Sequence, residues 1–196
     1  MKRGYTYTIV FMLVVSAVFT FFLAGTDALT SDRIEANAQT EEMRAVLYAF
    51  DLDSTGEFDE LRARFENLIE PVETEELSYY QHVEGGEVLG YAVPFTNSGL
   101  WGTIRGWLAV TPDLTEVQGL VFTEQNETPG LGGRITEQWF TDQFRGLRLD
   151  TDTPLTYGTQ GDLEIDAITG ATSTSNAVLR ILNDVRDEVL PLVEVN

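Results

Sequence analysis

Hydrophobic and polar positions follow three patterns along the chain, and the first is an unbroken apolar stretch near the N-terminus. Residues 4–26 carry no charged side chain, and Tyr5–Leu23 is dense in Val, Phe, Leu and Ile. About twenty apolar residues, at a rise of roughly 1.5 Å each, cross a hydrocarbon core of roughly 30 Å. A helix in a soluble core keeps a polar face. This stretch has none, so the pattern predicts a transmembrane helix at residues 5–25.

The charges that flank this stretch predict its orientation. Lys2 and Arg3 precede it and Asp27 follows it. By the positive-inside rule, residues 1–4 are expected in the cytoplasm and everything after Thr26 outside. A cleaved signal peptide is the alternative, but its apolar region is normally about 7–15 residues and ends at a small-residue cleavage site. We therefore expect an uncleaved single-pass anchor in the cell (inner) membrane.

The second pattern is helical. Apolar residues recur near the helical period from Asp32 to Phe50 and again from Glu57 to Ile69, and Pro71 is expected to end the second helix. Residues 26–75 are accordingly predicted to be a stalk and linking helices.

From residue 76 onward the pattern changes to short runs separated by turn residues, which predicts an antiparallel meander. The predicted strands are Leu77–Val83, Val88–Pro94, Thr103–Val110 and Val117–Phe122. Helices are predicted at Thr136–Phe144 and Ser175–Leu190. The expected fold class is α+β. It has a single N-terminal transmembrane helix, a stalk helix, and one domain at residues 76–196 with a mainly antiparallel sheet and flanking helices.

Composition excludes several functions. The formal net charge is −20, and nucleic-acid binding needs clustered Lys and Arg, so no nucleic-acid partner is expected. There is no cysteine and His82 is the only histidine, which excludes thiolate catalysis and leaves no predicted metal site. We expect His82 to be an ordinary strand or surface residue. The acidic, lysine-poor composition fits a salty environment or a biased genome equally well.

Two loop segments carry candidate chemistry. The first, DAITGATSTS, runs from Asp166 to Ser175 directly before the last predicted helix. Its small residues let a bulky ligand approach the backbone, and the helix-start N–H groups favour a phosphate. The second, ETPGLGG, runs from Glu127 to Gly133, and its Pro-Gly pair indicates a tight turn. Taken singly, these segments also fit a plain helix cap and a structural turn.

Together the segments resemble the FMN-binding domain family of the Rnf electron-transport complex G subunit and the sodium-translocating NADH:quinone reductase C subunit. The family's flavinylation motif is Asp, two variable residues, Ser or Thr, then Gly-Ala-Thr. It is filled here by Asp166, Thr169, Gly170, Ala171 and Thr172. The resemblance implies FMN attached covalently to Thr172 through a phosphoester by a separate ApbE-type flavin transferase.

The resemblance also implies the flavin contacts, because the segment Gly99–Gly102 (GLWG) matches the family as well. The expected cofactor-binding residues are Glu127, Thr128, Leu131, Gly132, Thr169, Gly170, Ala171, Leu100 and Trp101. No catalytic residue is expected. The chain departs from many relatives by having Gln125-Asn126 in place of a histidine and by lacking a lysine in Leu155–Ile165. Arg134 is the cation nearest to the ETPGLGG segment in sequence.

The implied function is an electron-transfer flavoprotein subunit of a membrane ion-translocating oxidoreductase complex, with other membrane subunits as partners and little activity alone. The alternative is a covalent-FMN donor domain that serves a separate extracytoplasmic reductase. A binding module that has merely kept the fold is disfavoured by the intact attachment motif. The length of 196 residues is nearer to the Rnf subunit, whereas the GLW segment favours the quinone-reductase subunit, so both types stay open.

Overall fold

The computed structural model of the protein describes residues 4–151, 153–161 and 163–195, without the side chain of Asp32. The chain divides into two compact units, Met1–Gln39 and Thr40–Asn196. Lys2 and Arg3, on which the predicted orientation depends, lie outside the described residues.

Helix α1 runs without interruption from Tyr5 to Ala49, where the sequence pattern predicts an anchor and a separate stalk helix. No proline interrupts this segment, and the hydroxyl groups of Thr26 and Thr30 donate to the carbonyl groups four residues earlier at 2.7 and 2.9 Å. A threonine bonded in this way fits inside a helix. By length and composition, Tyr5–Ser31 could cross a membrane, which agrees with the predicted span.

The second unit is built on a five-stranded antiparallel sheet whose strands follow the order of the sequence. The strands are β1 (Ile69–Glu73), β2 (Ser78–Glu84), β3 (Glu87–Ser98), β4 (Thr103–Val110) and β5 (Val117–Glu124). The meander predicted from the alternating runs is confirmed, and so is the α+β class.

Two prolines explain where the sheet extends beyond the prediction. Helix α2 (Phe58–Leu68) leads directly into β1, and Pro71 lies within that edge strand, where a missing N–H is tolerated. Strand β3 continues past Pro94, which pairs with Trp107 of β4 but lies beyond the residues paired with β2. A proline in an apolar run therefore marks an edge position here and not the end of a strand.

Both faces of the sheet are covered. The C-terminal turns of α1 and helix α2 pack on one face, through a cluster of Val46, Leu47, Ala49, Phe50, Leu61, Ile69, Ala92 and Ala109. The opposite face carries the larger core, in which residues such as Tyr91, Val93 and Leu108 meet the last helix. Neighbouring strand residues point to opposite faces, so the small Ala92 lies between Tyr91 and Val93 but faces the other layer.

After the sheet, the chain forms short elements that position the candidate site. These are a 3-10 turn (Gly132–Thr136), α3 (Gln138–Thr141), a second 3-10 turn (Asp142–Phe144), the hairpin β6 (Gly158–Gln160) and β7 (Leu163–Ile165), and α4 (Thr172–Asp184). A π turn (Val185–Val189) and a 3-10 turn (Leu190–Leu192) follow α4. The helix predicted at residues 136–144 is therefore divided into short turns, and the last helix begins three residues earlier than predicted, at Thr172.

Candidate functional site

The side chain of Glu127 joins three loops that are far apart in sequence. Its Oε1 accepts hydrogen bonds from the backbone N–H groups of Leu100 (2.8 Å) and Trp101 (3.0 Å). Its Oε2 accepts a hydrogen bond of 2.5 Å from the hydroxyl group of Thr174 in the first turn of α4. The GLWG segment, the ETPGLGG segment and the start of α4 therefore meet at one carboxylate.

This carboxylate is almost completely buried, since Glu127 is 4% exposed and Thr174 is 2% exposed. A buried charge is costly unless hydrogen bonds replace its hydration. Three donors do so here, and hydrogen bonds to a charged acceptor are stronger than those between neutral groups.

Two glycines let the loops approach this carboxylate. A Cβ atom on Gly132 would lie 3.0 Å from both Cβ and Oε2 of Glu127 and closer still to Oγ1 of Thr174. A Cβ atom on Gly99 would lie 2.8 Å from Cδ1 of Ile104 and closer still to Oε1 of Glu127. A side chain at either position would separate the loops, so the glycines are required for close packing.

The loop at the end of β3 is also tied directly to α4. The side-chain amide of Asn97 donates to Asp184 Oδ2 at 2.5 Å, and the guanidinium group of Arg180 donates to the Ser98 carbonyl at 2.7 Å. The N–H group of Gly99 closes the loop on the carbonyl group of Gly102 at 2.7 Å. Leu100 and Trp101 are thus presented from a loop that is fixed at both of its ends.

Thr172, the predicted attachment residue, is the first residue of α4, and its side chain is exposed. The loop before it is held from within the domain by Ser175, whose Oγ accepts the N–H of Ile168 at 3.0 Å. The Ser175 carbonyl accepts the phenol hydroxyl of Tyr157 at 2.7 Å. Burial raises the pKa of Tyr157 above its usual range, so the phenol remains a donor. These bonds support the loop and leave Thr172 at the surface.

The start of α4 suits an anion. The first N–H groups of a helix have no partner within the helix, and the helix dipole adds positive potential at this end. The first turn of this 13-residue helix contains no acidic residue. A phosphate group bonded to Thr172 would therefore lie at a favourable helix terminus.

Exposed apolar side chains lie on the loops that meet at Glu127, close to the start of α4. Leu100 is 54% exposed, Trp101 68% and Leu131 44%. Leu131 Cδ2 lies 3.4 Å from the place where a Cβ of Gly170 would be, so its side chain borders the attachment loop. Gly170 has a φ of 80°, a conformation that glycine adopts readily. Apolar groups beside a helix terminus fit a flat aromatic ring that carries a phosphate.

The other predicted residues have more local roles. The Thr128 carbonyl accepts the N–H groups of Leu131 and Gly133 at 3.1 and 3.0 Å and so shapes the turn. Asp166 and Thr169 are exposed within the loop that precedes α4, and Ala171 is buried at its end. Arg134 bonds Glu137 at 3.2 Å and lies 4.9 Å from the ring of Trp139.

The residue that sequence reasoning missed as part of the site is Thr174. Its partner Glu127 is 47 positions away, so no local pattern indicates the hydrogen bond. The available signal is the helical spacing from Thr174 to Val178 and Ile181, all of which are buried on one side of α4. His82, by contrast, is the ordinary strand residue expected: it lies in β2 and its ring packs against Phe50.

Comparison with known proteins shows which family the chain belongs to. The FMN-binding domain family matches residues 99–187. The G subunit of the ion-translocating oxidoreductase complex of Methanosarcina acetivorans is 32% identical over 193 residues, which cover 96% of each chain. The C subunit of the Na⁺-translocating NADH-quinone reductase of Pasteurella multocida is 38% identical over 102 residues, which are 48% of this chain and 39% of that protein.

The chain therefore belongs to the FMN-binding domain family, as the two motifs indicate. Its relatives include a G subunit that it matches along nearly its whole length and C subunits of which it spans well under half. The fold agrees too: the crystal structure of Shewanella oneidensis NqrC superposes with a TM-score of 0.66 at 23% identity, covering 76% of this chain and 93% of that one.

Proposed function

We propose that this chain is an electron-transfer flavoprotein subunit of a membrane ion-translocating oxidoreductase, with FMN joined to Thr172 through a phosphoester. The observation that carries the proposal is the position of Thr172. It completes the flavinylation motif, is exposed to an incoming enzyme and stands at the N-terminus of a 13-residue helix.

The attachment itself needs a second protein. A threonine hydroxyl is a weak nucleophile without a neighbouring base, so we assign the base and the flavin donor to an ApbE-type transferase. The atoms balance if the donor is a flavin dinucleotide. A bond forms between Thr172 Oγ1 and the flavin's phosphorus, the pyrophosphate P–O bond breaks, a nucleoside monophosphate leaves, and the hydroxyl proton passes to the transferase.

Different residues of the site are expected to hold the phosphate and the ring of the cofactor. The first turn of α4 would hold the phosphate, while Leu100, Trp101 and Leu131 would offer apolar surface to the ring. When bound, FMN supplies reversible uptake of electrons, and the protein tunes this property through nearby donors and burial. We expect Thr128, Gly132, Thr169, Gly170 and Ala171 to shape the backbone around the ring.

The membrane setting follows from the N-terminal helix and from the relatives. We propose a single-pass protein with residues 1–4 in the cytoplasm, a span at residues 5–25, and the FMN-binding part at residues 76–196 outside. Other membrane subunits of the complex are the proposed partners. The match along 96% of a G subunit, against 39% of a C subunit, favours a complex of the G-subunit type.

The decisive test is co-expression of the full chain with the transferase, followed by flavin fluorescence of the denatured protein and intact mass. We expect one FMN per wild-type chain and none on Thr172→Ala. Ser173→Ala is the matched control, because Ser173 is also an exposed hydroxyl residue, one position away, and this variant should still carry FMN. FMN on the Thr172→Ala protein, or none on the wild type, would refute the assignment.

A further inference from the structure

Glu127 is buried among protein donors, although it belongs to a segment that lines the proposed flavin site. Both of its oxygen atoms are occupied, one by the N–H groups of Leu100 and Trp101 and the other by the Thr174 hydroxyl. A carboxylate can only accept hydrogen bonds, and the three groups that donate to this one all belong to the protein. The carboxylate group of Glu127 therefore points into the protein.

The partners of Glu127 belong to the two parts of the site that an attached flavin would need at a fixed separation. Thr174 lies two residues after Thr172 on the same helical turn, so its position fixes that of the attachment residue. Leu100 and Trp101 carry the exposed apolar side chains beside the site. Glu127 is therefore a bridge of protein atoms between the point of attachment and the surface offered to the ring.

We propose that Glu127 is a positioning residue, which sets the placement of the flavin ring by joining Thr174 to the backbone of Leu100 and Trp101. This inference rests on the proposed attachment of FMN to Thr172. The ring and its phosphate are linked by a flexible chain, so attachment at Thr172 alone leaves the ring free to move. The bridge keeps the apolar loop beside α4, where the ring can rest against it.

The same bridge makes Thr174 a poor attachment site. The Thr174 hydroxyl proton is donated to Glu127, and the residue is 2% exposed, whereas Thr172 is at the surface. The tryptic peptide 149–180 contains Thr172, Ser173 and Thr174 together, because no Lys or Arg lies between Arg148 and Arg180. Tandem mass spectrometry of this one peptide therefore shows where the flavin is bonded.

Two matched pairs of variants in the full chain, co-expressed with the transferase, test the proposal. Glu127→Ala removes the bridge, whereas Glu127→Gln keeps its shape: the amide oxygen still accepts from the two N–H groups, and the amide nitrogen can donate to Thr174. Thr174→Val removes the hydroxyl at nearly the same volume, whereas Thr174→Ser retains it. We expect all four variants to carry FMN on Thr172, because the attachment motif is intact.

The readouts are the flavin's fluorescence anisotropy, its quenching by iodide and its midpoint potential. Glu127→Ala and Thr174→Val should lose anisotropy, become more accessible to iodide and shift in potential, whereas Glu127→Gln and Thr174→Ser should resemble the wild type. If Glu127→Ala does not fold, the comparison of Thr174→Val with Thr174→Ser tests the positioning role without it.

The inference and the proposed function fail in different ways. Wild-type protein without FMN on Thr172 would overturn the proposed function. Glu127→Ala and Thr174→Val proteins that carry FMN on Thr172 with wild-type anisotropy, quenching and potential would overturn the positioning role and leave the proposed function standing.

Discussion

Replacing Gly132 with alanine is the most direct test of the packing around Glu127. The added Cβ would lie 3.0 Å from Cβ and Oε2 of Glu127 and closer still to Oγ1 of Thr174. These neighbours are buried and hydrogen-bonded to each other, so they cannot move away without breaking their bond. Gly130 is the matched control in the same loop: a Cβ there would have no neighbour within 4 Å.

The two variants should differ in stability. Overpacking a filled site costs roughly 1–3 kcal/mol, and losing the charged hydrogen bond between Glu127 and Thr174 costs roughly 1.5–3 kcal/mol. We therefore expect Gly132→Ala to lower the free energy of unfolding by about 4 kcal/mol. Gly130 has a φ of 74°, so alanine there should cost only the left-handed backbone strain, roughly 1–2 kcal/mol.

Thermal unfolding of the detergent-solubilised full chain, followed by tryptophan fluorescence, measures this difference. For a domain of this size about 1 kcal/mol corresponds to roughly 2–4 °C, so Gly132→Ala should melt roughly 10 °C lower and Gly130→Ala only a few degrees lower. Thr174→Ala removes the nearest atom to the new Cβ, so Gly132→Ala should be less damaging in that background. Equal melting temperatures for the two glycine variants, or additive losses in the double variant, would refute the reasoning.

Three further outcomes are expected. Arg145→Ala should lower the free energy of unfolding by about 2–3 kcal/mol, because Arg145 donates to the carbonyl groups of Tyr48 and Gln118. The matched change Arg148→Ala, at a side chain that is 62% exposed, should cost much less, and equal losses in chemical denaturation would contradict this account. Burial and the neighbouring Glu42 raise the pKa of Tyr80 to about 12. Because the unfolded chain releases this proton near pH 10, the free energy of unfolding should keep the contribution of this group below about pH 10 and decline as the pH rises towards 12. The decline should be smaller in Tyr80→Phe. A reporter fused after residue 196 should be active only outside the cytoplasm, and activity inside would reverse the proposed orientation.

The local pattern of apolar and polar residues was sufficient to predict the elements in which that pattern is clear. The apolar stretch at residues 5–25 needs no partner to be recognised, and the short apolar runs between turn residues were enough to indicate β2–β5. Strand β1 was missed because Pro71 is a typical helix terminator, and only its edge position makes it acceptable. The hairpin of β6 and β7 has three residues in each strand, too few to show a period of two.

In the candidate site, too, some features can be recognised from local sequence and others depend on tertiary contacts. The attachment motif is contiguous, so Thr172 could be identified from sequence by resemblance. The role of Glu127 depends on donors 26 and 47 residues away, and that proximity exists only after the sheet and α4 have packed. The start of α4 at Thr172 could not be predicted from the sequence, because Thr172, Ser173 and Thr174 have modest helix propensity, which tertiary contacts override.

The burial of the C-terminal turns of α1 decides where the chain can be cut to obtain a water-soluble fragment. Val46 and Leu47 are completely buried against the sheet face that carries Ala92 and Ala109. A helix packs directly on those alanines, and their small side chains leave room for it. A fragment that begins at residue 50 would lack this helix and expose the apolar face of the sheet. A fragment limited to residues 99–187, the part by which the family is recognised, would also lose β3 and leave an edge of β4 unpaired. Both would be prone to aggregate, whereas a fragment that begins at residue 40 keeps the covering helix.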